Sequence, residues 1–218
     1  MGRIRLRLSK TDTAKYISHL DLMSLMSRAL QRAGVKLKFS EGFNPHPYLS
    51  VALPLPVGCG SICELLDFDA ELDPPFEGLP DQINDVLPGG VRILEAYAPE
   101  RKFNEITWIG MECLLYYSGG VGINITEMLK ERFSAESIIV SKRTKRGISD
   151  IDIIPFIRDI DITGDDVVNL SAKVTAQNPS INPENILDAI ERGNTGLAPD
   201  LVSFKRMEVF DGNMDVFR

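Results

Sequence analysis

Ser40-Glu41-Gly42-Phe43-Asn44-Pro45-His46-Pro47-Tyr48-Leu49-Ser50 is the stretch from which the fold is read. Its glycine, asparagine and two prolines impose a backbone path that is neither helix nor central strand. The residues before it pattern as strand, helix and strand, and those after it as a strand pair, a helix and a strand. The stretch carries His46, one of two histidines in the chain; the other, His19, opens the preceding helix. Rigid loops that mix polar and aromatic side chains commonly carry function. Phe43, Asn44, His46 and Tyr48 are therefore candidate binding residues.

Working back from the loop, Ser18 suits a helix N-cap, with Asp21 three positions on. Leu20, Met23, Leu25, Met26, Leu30 and Ala33 recur at spacings of three to five through Arg32, and Gly34 closes the helix as C′. Ile4, Leu6 and Leu8 alternate with Arg3, Arg5 and Arg7, which predicts a first strand with one buried and one wet face. Val35, Leu37 and Phe39 alternate with Lys36 and Lys38, which predicts the second. Working forward, Leu49 to Val57 reads as an edge or bulged strand, because Pro54 and Pro56 lack N–H donors. Gly58 to Ser61 turns the chain into a partner strand at Ile62 to Phe68. Leu79, Ile83, Val86 and Leu87 mark a short helix, and Val91 to Tyr97 a last strand. The order β-α-β-β-α-β describes a ferredoxin-like sandwich.

The second half repeats that order. Strands are predicted at Ile106 to Tyr117, Ile138 to Lys142, Val167 to Ala176 and Val202 to Phe210, with Ile151 to Ile157 irregular or a short strand around Pro155. One helix is capped by Asn124 or Thr126 and runs through Phe133. Another has Asn182 as N-cap and Pro183 at N1, and ends at Gly193. The expected fold class is α+β, two tandem ferredoxin-like (βαββαβ) sandwiches. Their domains span 1–100 and 105–218, joined through the polar Pro99-Glu100-Arg101-Lys102 segment.

The formal net charge of -7 argues against broad, non-specific nucleic-acid binding, which needs a basic face. It leaves room for a local basic site. Two such clusters stand out. Arg28 and Arg32 share a helix face at i, i+4, with Lys36 and Lys38 close by in sequence and the aromatic loop following. Lys142, Arg143, Lys145 and Arg146 form the second, ended by Gly147. Together with the loop residues they could hold RNA, phosphate to cation and base to ring; a solvated helix face and a plain hairpin tip explain them equally.

No apolar run approaches the ~20 residues that span a bilayer, so no membrane contact is expected. Cys59, Cys63 and Cys113 form an odd set without CxxC spacing and read as reduced thiols of a cytoplasmic protein. Three cysteines and two histidines make a poor zinc or iron–sulfur set, so no cofactor and no metal is expected. There is no Walker A, HExxH or nucleophile elbow. His19 and His46 are weak acid–base candidates, since the strand order sets them at opposite ends of the first layer.

Lys15-Tyr16-Ile17-Ser18-His19-Leu20-Asp21-Leu22-Met23, Arg28-Ala29-Leu30, Arg32-Ala33-Gly34, Ser40-Glu41-Gly42-Phe43-Asn44-Pro45-His46-Pro47 and Ala52-Leu53-Pro54-Leu55-Pro56-Val57-Gly58 resemble the radical SAM-linked family of unknown function (the DUF2344 family). Thr144-Lys145-Arg146-Gly147 and Asp152-Ile153-Ile154-Pro155 are similar to a later segment of that family, with Ile154 in place of an arginine. The resemblance implies a protein encoded beside, or fused to, a B12-binding-type radical SAM enzyme. The chain lacks the CxxxCxxC of such an enzyme, so the implied role is a non-catalytic accessory or substrate-binding partner; RNA as a candidate substrate comes from the basic and aromatic residues, not from the resemblance. The alternatives are a metal-independent RNA-processing nuclease using His19 or His46, and a protein-interaction module without RNA.

Overall fold

The computed structural model describes residues 2–119, 125–144, 147–164, 167–192 and 195–218. The chain divides into two compact units, one running to Glu105 and taking in Arg218, the other Ile106–Phe217. Both mix helices with antiparallel strands, so the chain is α+β. Among the described residues no helix is long and apolar enough to cross a membrane.

The first unit comprises β1 (Gly2–Lys10), a 3-10 turn (Asp12–Tyr16), α1 (His19–Arg32), β2 (Leu49–Val51), β3 (Gly60–Ala70), α2 (Leu79–Asn84) and β4 (Val91–Tyr97). Its strands lie in the order β4-β1-β3-β2, antiparallel at each junction. Ile4, Leu6 and Leu8 of β1 and Leu66, Phe68 and Ala70 of β3 turn one face to the helices. Leu22, Met26 and Leu30 of α1 and Leu79 and Ile83 of α2 close that face. Each of the buried leucine, isoleucine, methionine and phenylalanine side chains contributes roughly 1.5–3 kcal/mol. The helix signals hold: Ser18 Oγ accepts from Asp21 N at 3.2 Å, and Gly34 takes the left-handed conformation at φ +78.

Three expectations for this unit are corrected. Val35 to Phe39 is not a strand; it makes only the isolated bridges Leu37 to Ala70 and Phe39 to Pro47. Lys38 N donates to Asp69 O at 2.8 Å, while Asp69 N donates to Tyr48 O at 3.2 Å. The outer edge of β3 thus passes from residue 38 to residue 48 at one position, and the residues between are expelled as a projecting tip. The strand expected over Leu49 to Val57 stops at Val51. Leu53 sits at φ +46, and Pro54 and Pro56 offer no N–H to continue the ladder. The wet face of β1 is not uniformly wet: Arg5 is 1% exposed.

The second unit comprises β5 (Trp108–Tyr116), α3 (Ile125–Phe133), β6 (Ile139–Thr144), β7 (Gly147–Asp152), β8 (Ile157–Thr163), β9 (Val167–Thr175), α4 (Pro183–Glu191) and β10 (Leu201–Phe210). Its sheet runs β10-β5-β9-β8, and β6 pairs only with β7 in a separate hairpin. Cys113, Leu115, Val168 and Leu170 face Leu129 of α3 and Ile186 and Ile190 of α4. The segment expected at Ile138 to Lys142 as a sheet strand is instead one arm of that hairpin. The sheet takes β8, which the sequence does not announce. Its register shifts between Arg158 and Asp161, with Asp159 at φ +49, so Ile157, Ile160 and Ile162 lose strict alternation. The hairpin leans on α4: Asp188 Oδ2 accepts from Ser141 N at 2.6 Å, and Arg192 Nη1 donates to Ile139 O at 3.2 Å. Asn182 caps α4 as expected, its N–H bonded to Asn185 Oδ1 at 3.0 Å. The caps expected at Asn124 and Gly193 lie outside the described residues.

Candidate functional site

The projecting tip is braced from within. Ser40 N donates to His46 O at 2.8 Å, and His46 N donates to Ser40 Oγ at 3.1 Å. Ser40 Oγ also lies 3.0 Å from His46 Nδ1, with Asn44 O 3.4 Å from the same nitrogen. Nδ1 thus meets both the Ser40 hydroxyl and the Asn44 carbonyl, while Nε2 makes no hydrogen bond among the described residues. Gly42 at φ +122 makes the reversal that a side chain would resist. At the apex Phe43 is 110% exposed, as open as an isolated residue. An exposed ring is ordinary by itself, but on an internally braced loop it is held out where a flat partner can stack on it.

Tyr48 and Lys38 stand at the root of the tip, with Lys38 Nζ 5.6 Å from the Tyr48 ring centroid. Lys38 shares a hollow with Gly2, Arg3 and Asp69. Arg3 Nε donates to Asp69 Oδ1 at 3.0 Å. That hydrogen bond first, and the carboxylate charge second, raise the Arg3 guanidinium above its ordinary value. Neither Arg3 nor Asp69 was expected from the sequence. The available signal was the match of Arg3 and Arg5 in one strand to Asp67 and Asp69 in another.

The first basic cluster does not form one patch. Arg28 and Arg32 are exposed on α1, in the helix layer. Leu37 packs into the core beneath that layer, and Lys38 shares the hollow with Arg3, which alternates with the core residue Ile4; both lie on the opposite face of the sheet. Lys36 lines a different hollow with Gly34, Leu79 and Gln82. In the second cluster Lys142 Nζ donates to Ser180 O, and burial lowers its ordinary value. The side chain of Arg143, and Lys145 and Arg146 entirely, lie outside the described residues.

The two histidines are not brought together. His46 belongs to the tip rooted beside Asp69, whose partner in β1 is Arg3. His19 begins α1 just after Ile17, whose carbonyl lies 3.5 Å from Lys10 Nζ at the far end of β1. That strand separates them by roughly 25 Å. His19 is half-buried, and its Nδ1 is enclosed without a hydrogen-bond partner among the described residues. Among the described residues no group of three histidine, cysteine or acidic side chains is placed to hold a metal ion. All three cysteines are buried, and none forms a disulfide among the described residues.

Residues 3–183 match the family described as "Uncharacterized protein conserved in bacteria (DUF2344)". The chain belongs to the DUF2344 family. The matched span takes in the tip, the Arg3 and Lys38 hollow and the β6–β7 hairpin, and reaches the first residue of α4. No curated protein matches the chain. Two solved structures are similar to this DUF2344 member over nearly their full length. One is an unknown protein from Galdieria sulphuraria, 9% identical, covering 94% of this chain and 98% of that one with a TM-score of 0.25. The other is Thermus thermophilus Cse3 bound to an RNA representing a pre-cleavage complex, 13% identical, covering 93% and 98% with a TM-score of 0.20. At those scores neither likeness bears on fold or function.

Proposed function

We propose that the chain is a non-catalytic accessory protein that holds an RNA substrate for a B12-type radical SAM enzyme. The enzyme partner rests on the family resemblance. The RNA rests on one observation, the fully exposed Phe43 ring on an internally braced tip. Single-stranded nucleic acid is held by aromatic rings that stack bases and by cations that track phosphates. Phe43 and Tyr48 supply rings, Lys38 supplies a cation, and Asn44 and His46 Nε2 supply polar groups for base edges. Arg28 and Arg32 on α1, and Lys142, Arg143, Lys145 and Arg146 in the other unit, are separate candidates for phosphate contacts that rest on the sequence. The absence of CxxxCxxC supports a non-catalytic role. So does the separation of His19 from His46, which prevents them from sharing one proton transfer.

The same reading takes both units as ferredoxin-like. It is supported by the order β4-β1-β3-β2 in one and β10-β5-β9-β8 in the other, each with two helices on one face. In the second unit the β6–β7 hairpin is then an insertion before the second sheet strand.

Two measurements test the proposal. Co-expression with the radical SAM enzyme encoded beside it is expected to yield a complex that survives purification with RNA present. Failure to associate, with or without RNA, removes the accessory role. Fluorescence anisotropy with a labelled single-stranded oligoribonucleotide is expected to show binding that weakens steeply as salt rises. Phe43→Ala is expected to cost about 1–3 kcal/mol of that affinity, the loss of one stacked base. Asn44→Ala and His46→Ala are expected to weaken it while circular dichroism stays unchanged. No binding by the wild-type chain at low salt removes the RNA.

A further inference from the structure

We infer that the hollow at the root of the tip is a phosphodiester subsite, in which Arg3 and Lys38 hold one backbone phosphate of the RNA whose base meets the tip. This rests on the RNA reading above. Arg3, Asp69 and Lys38 stand in one row across the sheet. Asp69 is the β3 partner of Arg3, and its carbonyl accepts from Lys38 N on the other side. Two strand spacings put the Arg3 and Lys38 backbones about 10 Å apart, within converging reach of two long side chains. The two cations line a hollow of about 290 Å³, and Gly2 beside them has no side chain to fill it.

The donors on both cations are unspent. Among the described residues the one hydrogen bond from the Arg3 side chain leaves Nε for Asp69, so both Nη groups remain available. Lys38 makes no ion pair among the described residues, and its ammonium stands over the Tyr48 ring. Asp69 therefore orients the guanidinium without consuming its fork. Two positive charges and one negative leave a surplus of one. That matches the single charge of a phosphodiester rather than the near-double charge of a terminal phosphate. The hollow adjoins the tip that carries Phe43, so a phosphate in it and a base at the tip belong to one short single-stranded segment.

The test is anisotropy with the full chain and the labelled oligoribonucleotide across a salt series. Each single-strand phosphate contact contributes about 0.7 to the slope of log affinity against log salt. Arg3→Gln and Lys38→Gln are each expected to lower the slope magnitude by about 0.7. Phe43→Ala is expected to weaken binding with the slope unchanged. Asp69→Asn keeps an acceptor for Arg3 Nε, removes the carboxylate's repulsion of the phosphate, and is expected to tighten binding about threefold, a direction that damage to the fold would not produce. Wild-type binding with an unchanged slope in both glutamine variants overturns the subsite and leaves the RNA reading in place. A wild-type chain that binds no RNA overturns that reading and the subsite with it.

Discussion

Two arginine–aspartate pairs lie two residues apart on the same two strands, and they differ in almost everything but composition. Arg5 Nε and Nη2 meet the two Asp67 oxygens at 2.7 and 2.9 Å, and Nη2 also donates to Arg101 O at 2.9 Å. The Phe103 ring lies 4.3 Å from the guanidinium carbon, and the paired side chains are 1% and 8% exposed. Arg3 meets Asp69 through Nε alone at 3.0 Å, with side chains 59% and 24% exposed. The strands place both pairs in register; the cover decides what each pair does. Under residues 101–103 the guanidinium is held through Nε and Nη2, and the pair fixes strand pairing. In the open, the same pair stabilises little and leaves both Arg3 Nη groups without a partner among the described residues.

The largest expected effect comes from breaking the covered pair. Asp67→Ala leaves a buried guanidinium without its counter-charge, and is expected to cost about 3–5 kcal/mol in urea denaturation. The double variant Arg5→Met with Asp67→Leu removes both charges and refills the space, and is expected to recover most of that loss. A small loss for Asp67→Ala would mean that the cover does not isolate the pair from water.

The contrast between the pairs also marks how far the sequence could be read. Alternation of Arg3, Arg5 and Arg7 with Ile4, Leu6 and Leu8 places the strand correctly, yet it cannot tell which arginine is covered. Phe103 and the Arg101 carbonyl arrive about a hundred residues later. Local signals were sufficient where the chain satisfies itself locally, as in Ser18 capping α1 and Asn182 capping α4. They failed where a hydrogen bond from a distant strand chose the path. Asp69 receives Lys38 on one backbone group and offers the other to Tyr48, so the strand expected over Val35, Leu37 and Phe39 is reduced to isolated bridges at the root of the tip. They failed again at β8, where the register shift hides the alternation. In the candidate site the aromatic and histidine residues were legible because the loop's own prolines and glycine announce it. Arg3 and Asp69 were not, because each is unremarkable until the two strands pair.

The open pair is expected to give a much smaller stability effect. Asp69→Ala removes one well-solvated contact, and is expected to cost at most about 1 kcal/mol. Raised salt is expected to shrink that cost further, since exposed pairs are screened. A loss as large as that of Asp67→Ala would assign Asp69 a structural role and erase the distinction between the two rows.

The smallest effect, and the sharpest probe of the cover, is the titration of Tyr97. Tyr97 is the β4 partner of Arg5, and its hydroxyl is buried without a hydrogen bond among the described residues. Burial raises its phenol above the ordinary 10.0, while Arg5 and then Arg218 pull it back down. A folded value above the unfolded one favours the neutral phenol. Its contribution is therefore fully present below about pH 10 and is lost as pH rises through the folded value. Absorbance at 295 nm, with Tyr97→Phe to assign the step, is expected to show Tyr97 ionising above the exposed tyrosines. Tyr117, held by burial at about 12, is expected to ionise late as well. In the Arg5→Met with Asp67→Leu variant the Tyr97 step is expected to move higher still, because the downward pull of Arg5 outweighs the upward push of Asp67. Arg3→Gln is expected to leave it in place. Equal shifts from the two arginines would show that both rows see the same solvent, and the cover would then explain neither the stability of one pair nor the availability of the other.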